Sequence, residues 1–243
     1  MDTIRLMDIH THLLPKVDDG ASDMEETVRM LEMAKGQGIR TIIATPHFGL
    51  GSLDKSVEEL IECKEKVQQK AAAIDPDIKI YLGNELYYRE SVLEEVLRGN
   101  ALTLAGSRYV LIEFSVRVDY KSLYQGLNKF ILAGYAPILA HVERYRCLME
   151  EEVRIDEIRE LGVYIQMNGS SLLGNFLDKR VRLHRRLLKE RLLHFVATDC
   201  HNTSTRAPNL EKAFHTVVKL TDWEYAVELF YDNPLKIIEN KYI

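Results

Sequence analysis

Short apolar runs recur along the chain: Leu6 to Ile9, Ile39 to Ala44, Ile78 to Leu82, Tyr109 to Ile112, Pro137 to Ala140, Val163 to Met167 and Leu193 to Ala197. Ile4 belongs to the first by pattern. Most are apolar at successive positions, as expected of parallel strands covered on both faces. The stretches between them have a helical period instead. Val28, Leu31 and Ala34 share one face of a helix that Ser22 and Glu25 open as a capping box and that Gly36 or Gly38 stops. Val57, Leu60, Ile61 and Val67 mark a second helix, after a loop from Phe48 to Ser52. Further helices are predicted over 91–98, 122–132 and 151–161, the last two stopped by Gly134 and Gly162. From Pro208 onward the pattern is wholly helical, with Trp223 as a core anchor.

Seven strand–helix units in succession predict an α/β protein, a closed or nearly closed parallel β/α barrel. An open doubly wound sheet would need a glycine-rich phosphate turn after the first strand. This chain has Asp-Ile-His-Thr-His there. No linker, repeat or low-complexity tract divides the sequence, so residues 1–243 read as one domain.

Composition narrows the picture. With 46% hydrophobic and 28% charged residues the chain is of ordinary globular type. No apolar run approaches the roughly 20 residues of a membrane span, and no signal peptide is visible. Cys63, Cys147 and Cys200 are few and odd in number, which points to the cytoplasm. The formal charge of −5 argues against a nucleic-acid partner. One stretch departs from it: seven of the thirteen residues from Lys179 to Arg191 are Lys or Arg. That is the solvated face of a helix with Val181, Leu187, Leu188 and Leu192 inside, or a docking face for an acidic partner or a lipid surface.

The chemistry lies at the strand ends. His10 and His12, two apart on an extended backbone, point to one side. His47, Glu85, Glu113, His141, Asn168, and Asp199 with His201 stand just past the other strands in turn. The C-terminal mouth is where barrel enzymes gather their reacting groups. Five imidazoles and three carboxylates exceed the needs of one ion and suggest two or three divalent metals, with Glu85 as the bridging carboxylate. Nitrogen and oxygen donors without thiolate suit Mn²⁺, Fe²⁺ or Zn²⁺. Paired metals activate water for phosphoester or amide hydrolysis. Arg144 and Arg206, on loops after His141 and His201, favour phosphate, because a guanidinium fork matches its oxygens. A rival signature is Cys200-x5-Arg206, the spacing of thiol-dependent phosphatases, although its loop has no glycine to wrap a phosphate.

Seven segments together resemble the PHP superfamily: Asp8-Ile9-His10-Thr11-His12, Asp18-Asp19-Gly20, Thr45-Pro46-His47, Gly83-Asn84-Glu85-Leu86-Tyr87-Tyr88, Ile112-Glu113-Phe114, Ala140-His141-Val142-Glu143-Arg144-Tyr145 and Thr198-Asp199-Cys200-His201-Asn202. More narrowly they resemble the bacterial manganese-dependent protein-tyrosine phosphatases of capsule and exopolysaccharide operons. The resemblance implies a distorted seven-stranded (β/α)7 barrel of PHP type. It implies one ion on His10, His12, Glu85 and Asp199, a second on Glu85, Glu113 and His141, and a third on His47, His201 and Asp19, with Asp18 as the alternative to Asp19. Arg144 and Arg206 would bind phosphoryl oxygens, and a metal-bridging hydroxide would attack phosphorus. The implied substrate is the phosphotyrosine tail of a membrane-associated tyrosine autokinase. Tyr87, Tyr88, Tyr145 and Phe48 are candidates for the rim. The competing functions are a small-molecule phosphatase of histidinol-phosphatase type and a non-catalytic metal-binding module that docks through the basic helix. An amidohydrolase would often place a lysine at a central strand end, and none stands there.

Overall fold

The computed structural model describes residues 5–50, 54–175 and 177–243. Ile4 and the loop residues Gly51 and Ser52 named above lie outside them. Nine strands occur among the described residues: β1 (Leu6–Thr11), β2 (Ile39–Ala44), β3 (His47–Phe48), β4 (Lys79–Leu82), β5 (Glu85–Tyr87), β6 (Tyr109–Glu113), β7 (Ala136–Leu139), β8 (Tyr164–Asn168) and β9 (Phe195–Ala197). Every pairing is parallel. They form a three-stranded sheet, β1-β2-β4, and a six-stranded sheet, β3-β5-β6-β7-β8-β9. The fold is α/β with a curled parallel sheet.

The count differs from the expected seven because two strands are interrupted. Thr45 and Pro46 separate β2 from β3, and Gly83 and Asn84 separate β4 from β5. The breaks are bridged: Gly83 N–H donates to the Ala44 carbonyl and Glu85 N–H to that of Pro46. Asn84 gives its amide to the Pro46 carbonyl and accepts from Leu102 N–H, so the break is a built joint. Gly83 is needed there, since a Cβ would come within 2.7 Å of Leu104. On the other flank Asp199 N–H donates to the His10 carbonyl and His12 N–H to that of Cys200, and Thr11 bridges Cys200 in parallel.

Eleven α-helices occur among the described residues, in chain order: α1 (Met24–Gly36), α2 (Val57–Ile74), α3 (Val92–Arg98), α4 (Tyr120–Leu132), α5 (Arg146–Met149), α6 (Val153–Glu160), α7 (Gly169–Leu172), α8 (Lys179–Lys189), α9 (Leu210–Leu220), α10 (Trp223–Val227) and α11 (Asn233–Ile238). The α1 cap lies one residue later than expected. Asp23, not Ser22, accepts the Glu26 N–H, and Glu26 reaches back to Ser22. Thr27, Met30, Leu31 and Ala34 are its buried face. Trp223 is half-exposed and meets Phe214 edge-on, so it is no core anchor; Phe214 and Phe230 occupy that place.

Two apolar layers result. One fills the space between sheet and helices. The other plugs the sheet's interior with Ile9, Ile43, Leu111, Ile138, Phe195 and Tyr109, closed below by Leu104 and Ile237. The strand bodies are therefore rigid and dry, which is what fixes the residues at their C-terminal ends.

Candidate metal centre

Five histidines converge at those ends: His10, His12, His47, His141 and His201. His10, His12, His141 and His201 are buried, as are Glu85 and Asp199. Burial of this many ionisable groups needs local compensation. The hydrogen bonds show how each ring is aimed. His10 Nδ1 donates to Gln166 Oε1 at 3.3 Å, and His12 Nδ1 donates to Asp18 Oδ2 at 2.7 Å. His201 Nδ1 donates to the Asp199 carbonyl at 3.0 Å. The outer nitrogens thus hold the protons, and the inner Nε2 lone pairs face inward.

What they face is more lone pairs. His10 Nε2 and His12 Nε2 are 3.3 Å apart, and each is 3.3 Å from Glu85 Oε2 and 3.5 Å from Asp199 Oδ1. His141 Nε2 lies 2.9 Å from Glu85 Oε1 and 3.4 Å from Glu113 Oε1. His47 Nδ1 is 3.0 Å from Glu85 Oε2. Asp19 Oδ1 sits between His47 Nε2 at 3.3 Å and His201 Nε2 at 3.2 Å. His47 Nδ1 and His201 Nε2 nonetheless lack hydrogen-bond geometry to any partner. Such groups need protons or cations between them: against burial, the carboxylates push the His10, His12 and His47 imidazoles up, and the same donor set fits divalent metal. Among the described residues three groups stand close enough to share an ion: His10, His12 and Glu85; His47, Glu85 and Glu113; and His12, Asp19, His47 and His201. Glu85 is common to the first two, and His47 joins the second where the resemblance names His141.

Asp18 and Asp19 divide the labour. Asp18 is on the outside of His12, where it also accepts the His47 and Gly20 N–H groups, so it orients ligands from behind. Asp19 faces in. Gly20 allows this turn: a Cβ there would fall 2.0 Å from the His12 carbonyl. His141 and Asp199 occupy left-handed backbone, φ 35° and 51°. Such strain in non-glycine residues is held by the surrounding structure and collects at functional sites.

The electrostatics match. Burial pushes the Glu85 and Asp199 carboxyls up, but the imidazoles around them outweigh it and hold both below the usual carboxylate range. Burial and the charge of Glu85 push Glu113 up to about 7. The close approach of the His201 and His47 imidazoles holds Asp19 low. Burial drives the Cys200 thiol up to about 12. Cys200 points into the wall beside Leu13, Met30 and Leu31, so its thiol is inert and the Cys-x5-Arg spacing carries no chemistry.

Arg144 and Arg206 approach Asp199 from two sides. Arg144 Nη2 donates to Oδ2, and Arg206 Nη2 to Oδ1 at 2.8 Å. Their side chains are 36% and 38% exposed, so each keeps donors at the mouth. Asn168 is no ligand: its amide donates to Asp199 Oδ2 at 2.7 Å. Tyr145 is fully buried and its hydroxyl accepts the Phe114 N–H, so it is core and not rim. Tyr88, half-buried, stacks on Phe114.

Three supporting residues gave little sign in the sequence. Gln166 accepts from His10 and from the His141 N–H through one oxygen and donates to Asn168. Asp8 takes the Thr198 N–H and hydroxyl, tying β1 to the segment that bears Asp199. Glu143 accepts from Asn168 N–H and Ser171, anchoring the loop that carries Arg144.

A sequence model of the CpsB/CapC family, capsular polysaccharide synthesis, matches residues 6–239. This chain belongs to the CpsB/CapC family. Among its relatives in that family, tyrosine-protein phosphatase CpsB of Streptococcus pneumoniae is 35% identical over 98% of this chain and 100% of its own length. Tyrosine-protein phosphatase YwqE of Bacillus subtilis is 32% identical over 98% of this chain and 93% of its own. The crystal structures of YwqE and CpsB, unique metal-dependent tyrosine phosphatases, include a chain that superposes with a TM-score of 0.91 at 31% identity, covering 98% of this chain and 96% of that one.

Proposed function

We propose that this CpsB/CapC chain is a metal-dependent phosphomonoester hydrolase acting on protein phosphotyrosine. The observation that carries it is the inward convergence of imidazole lone pairs on Glu85, Asp199 and Asp19, with two arginine forks at the rim. The similarity to metal-dependent tyrosine phosphatases over nearly the whole chain supports the same reading.

Two or three divalent ions fit the donors, most naturally Mn²⁺, with Fe²⁺ or Zn²⁺ as alternatives. His10, His12, Glu85 and Asp199 would hold one, Glu85, Glu113 and His141 the second, and His47, His201 and Asp19 the third. When bound, such ions offset phosphate charge and lower the pKa of water. The chain's own groups do the rest. Arg144 and Arg206 hold non-bridging phosphoryl oxygens from two sides, turning phosphorus towards the donor ring. Asp18 and Gln166 keep the His12 and His10 rings in the tautomers that present Nε2 inward. The buried floor excludes bulk water and strengthens each interaction.

The substrate we infer is the phosphotyrosine tail of a membrane-associated tyrosine autokinase that governs capsular or exopolysaccharide synthesis; the family's tie to capsular polysaccharide supports it. No helix among the described residues is long and apolar enough to cross a membrane. A cytoplasmic place is proposed from the three unpaired cysteines. We take residues 1–243 as one domain. The interrupted strands, with the Thr11–Cys200 bridge, support counting the sheet as seven staves of a distorted barrel of PHP type.

The test is hydrolysis after chelation and re-addition of single metals, on a phosphotyrosine peptide beside histidinol phosphate. Metal-restored turnover of the peptide is expected. Turnover of histidinol phosphate alone would instead assign a small-molecule phosphatase, and no turnover with any metal would leave a binding module.

A further inference from the structure

The basic helix α8 is not consumed by the site. Residues 177–191 carry seven Lys and Arg against Asp178 and Glu190, a net +5 within a chain of net −5. Val181, His184, Leu187 and Leu188 face inward, and Lys179, Arg180, Arg182, Arg186 and Lys189 are exposed. Some of this charge is paired: Arg180 with Asp178, Arg186 with Glu152, and Arg191 with Asp222. Among the described residues, Lys179, Arg182, Arg185 and Lys189 meet no carboxylate, although acidic groups outnumber basic ones over the chain. Like charges three and four apart repel on a helix surface. This strip therefore bears a small standing cost that an incoming anion would relieve.

The helix that bears the strip is also tied, through its inner side, to the segment behind the Arg144 loop. His184 Nδ1 donates to the Ser171 carbonyl, and Arg185 donates to those of Leu172 and Gly174. Ser171 in turn gives its hydroxyl to Glu143, the neighbour of Arg144. One residue, Ser171, thus links the helix to the loop that bears a phosphate-binding arginine.

We propose that α8 is a docking strip for the anionic polypeptide flanking the phosphotyrosine, a segment rich in Asp, Glu or further phosphorylated residues. The proposal rests on the phosphotyrosine reading above. Arginine and lysine lead the strip, and their donors suit carboxylate and phosphate alike. The link through Ser171 and Glu143 to the Arg144 loop favours a peptide that enters the mouth over a lipid surface. Exposed charges of this kind steer and weakly hold an anion, and salt screens them.

The experiment uses the full chain reconstituted with Mn²⁺ and a triple variant, Lys179→Ser, Arg182→Ser and Lys189→Ser. Substrates are free phosphotyrosine and two peptides that flank phosphotyrosine with acidic or with neutral residues. At low salt the wild type should show a KM about five- to tenfold lower for the acidic peptide, an advantage lost at high salt. The variant should lose it too, with kcat and free-phosphotyrosine hydrolysis unchanged. Equal KM for both peptides, or an acidic preference that survives in the variant, would overturn the proposal. So would variant-sensitive binding to phosphatidylserine vesicles without any peptide preference, which would assign the strip to lipid. Free-phosphotyrosine hydrolysis reports separately on the phosphatase reading.

Discussion

At the N-terminal ends of the strands, Tyr109, Tyr164 and Phe195 pack with Leu104 and Ile237, and the Tyr109 hydroxyl donates to the Lys241 carbonyl. At the C-terminal ends of the same strands, imidazole nitrogens face carboxylate oxygens and two of them have no hydrogen bond at all. The polar handle of the lower end is satisfied by the protein itself; at the upper end the protein aims the rings but leaves inward nitrogens for something brought in. Stability is stored below and left unfinished above. That division is how a sheet can hold a chemically frustrated ring without unfolding.

The largest break in this contrast comes from Glu85→Gln. It removes the carboxylate shared by two ligand groups, so metal-supported phosphatase turnover should drop roughly a hundred- to thousandfold. Thermal unfolding followed by circular dichroism should show the fold kept. Ile138→Ala does the reverse. It opens a cavity in the plug and should cost about 2–4 kcal/mol in urea titration, while the specific activity of folded protein stays near wild type. Asp18→Asn weakens the support behind His12 without touching an inward ligand. Metal affinity by calorimetry should fall about 10- to 100-fold, with turnover recovered at excess metal.

The smallest effect sharpens the lower half. His194 Nδ1 accepts the Ile165 N–H, and burial with nearby Arg159 holds its pKa down to about 4. The unfolded imidazole binds a proton near 6.5 and the folded one only near 4, so stability falls as pH drops through that window. Between pH 7.5 and 5 the loss should be about 1–2 kcal/mol, and His194→Asn should flatten that part of the denaturation profile.

Much of the upper ring was legible in the sequence because strand ends are marked by a change from apolar to polar residues. His10, Glu85, His141 and Asp199 stand where that change occurs, and the structure brings them together. Gln166 was not legible. It sits inside the apolar run Ile165-Gln166-Met167, and only the register of β7 on β8 puts its oxygen below His141. The division between Asp18 and Asp19 depends on a turn that Gly20 permits, which spacing alone does not reveal. Tyr145 and Trp223 changed places for a related reason: aromatic residues suit core and rim alike, and tertiary packing decides. The interrupted strands were hidden because Gly83-Asn84 marks a joint only once Leu104 is seen to press against it.

The most direct test of the central claim is anomalous diffraction from crystals of the full chain grown with Mn²⁺. The account predicts peaks inside the ring, one within about 2.0–2.3 Å of the Nε2 atoms of His10 and His12 and a second sharing Glu85. A ring without peaks at saturating Mn²⁺, with the histidines and carboxylates bonded to each other alone, would contradict it.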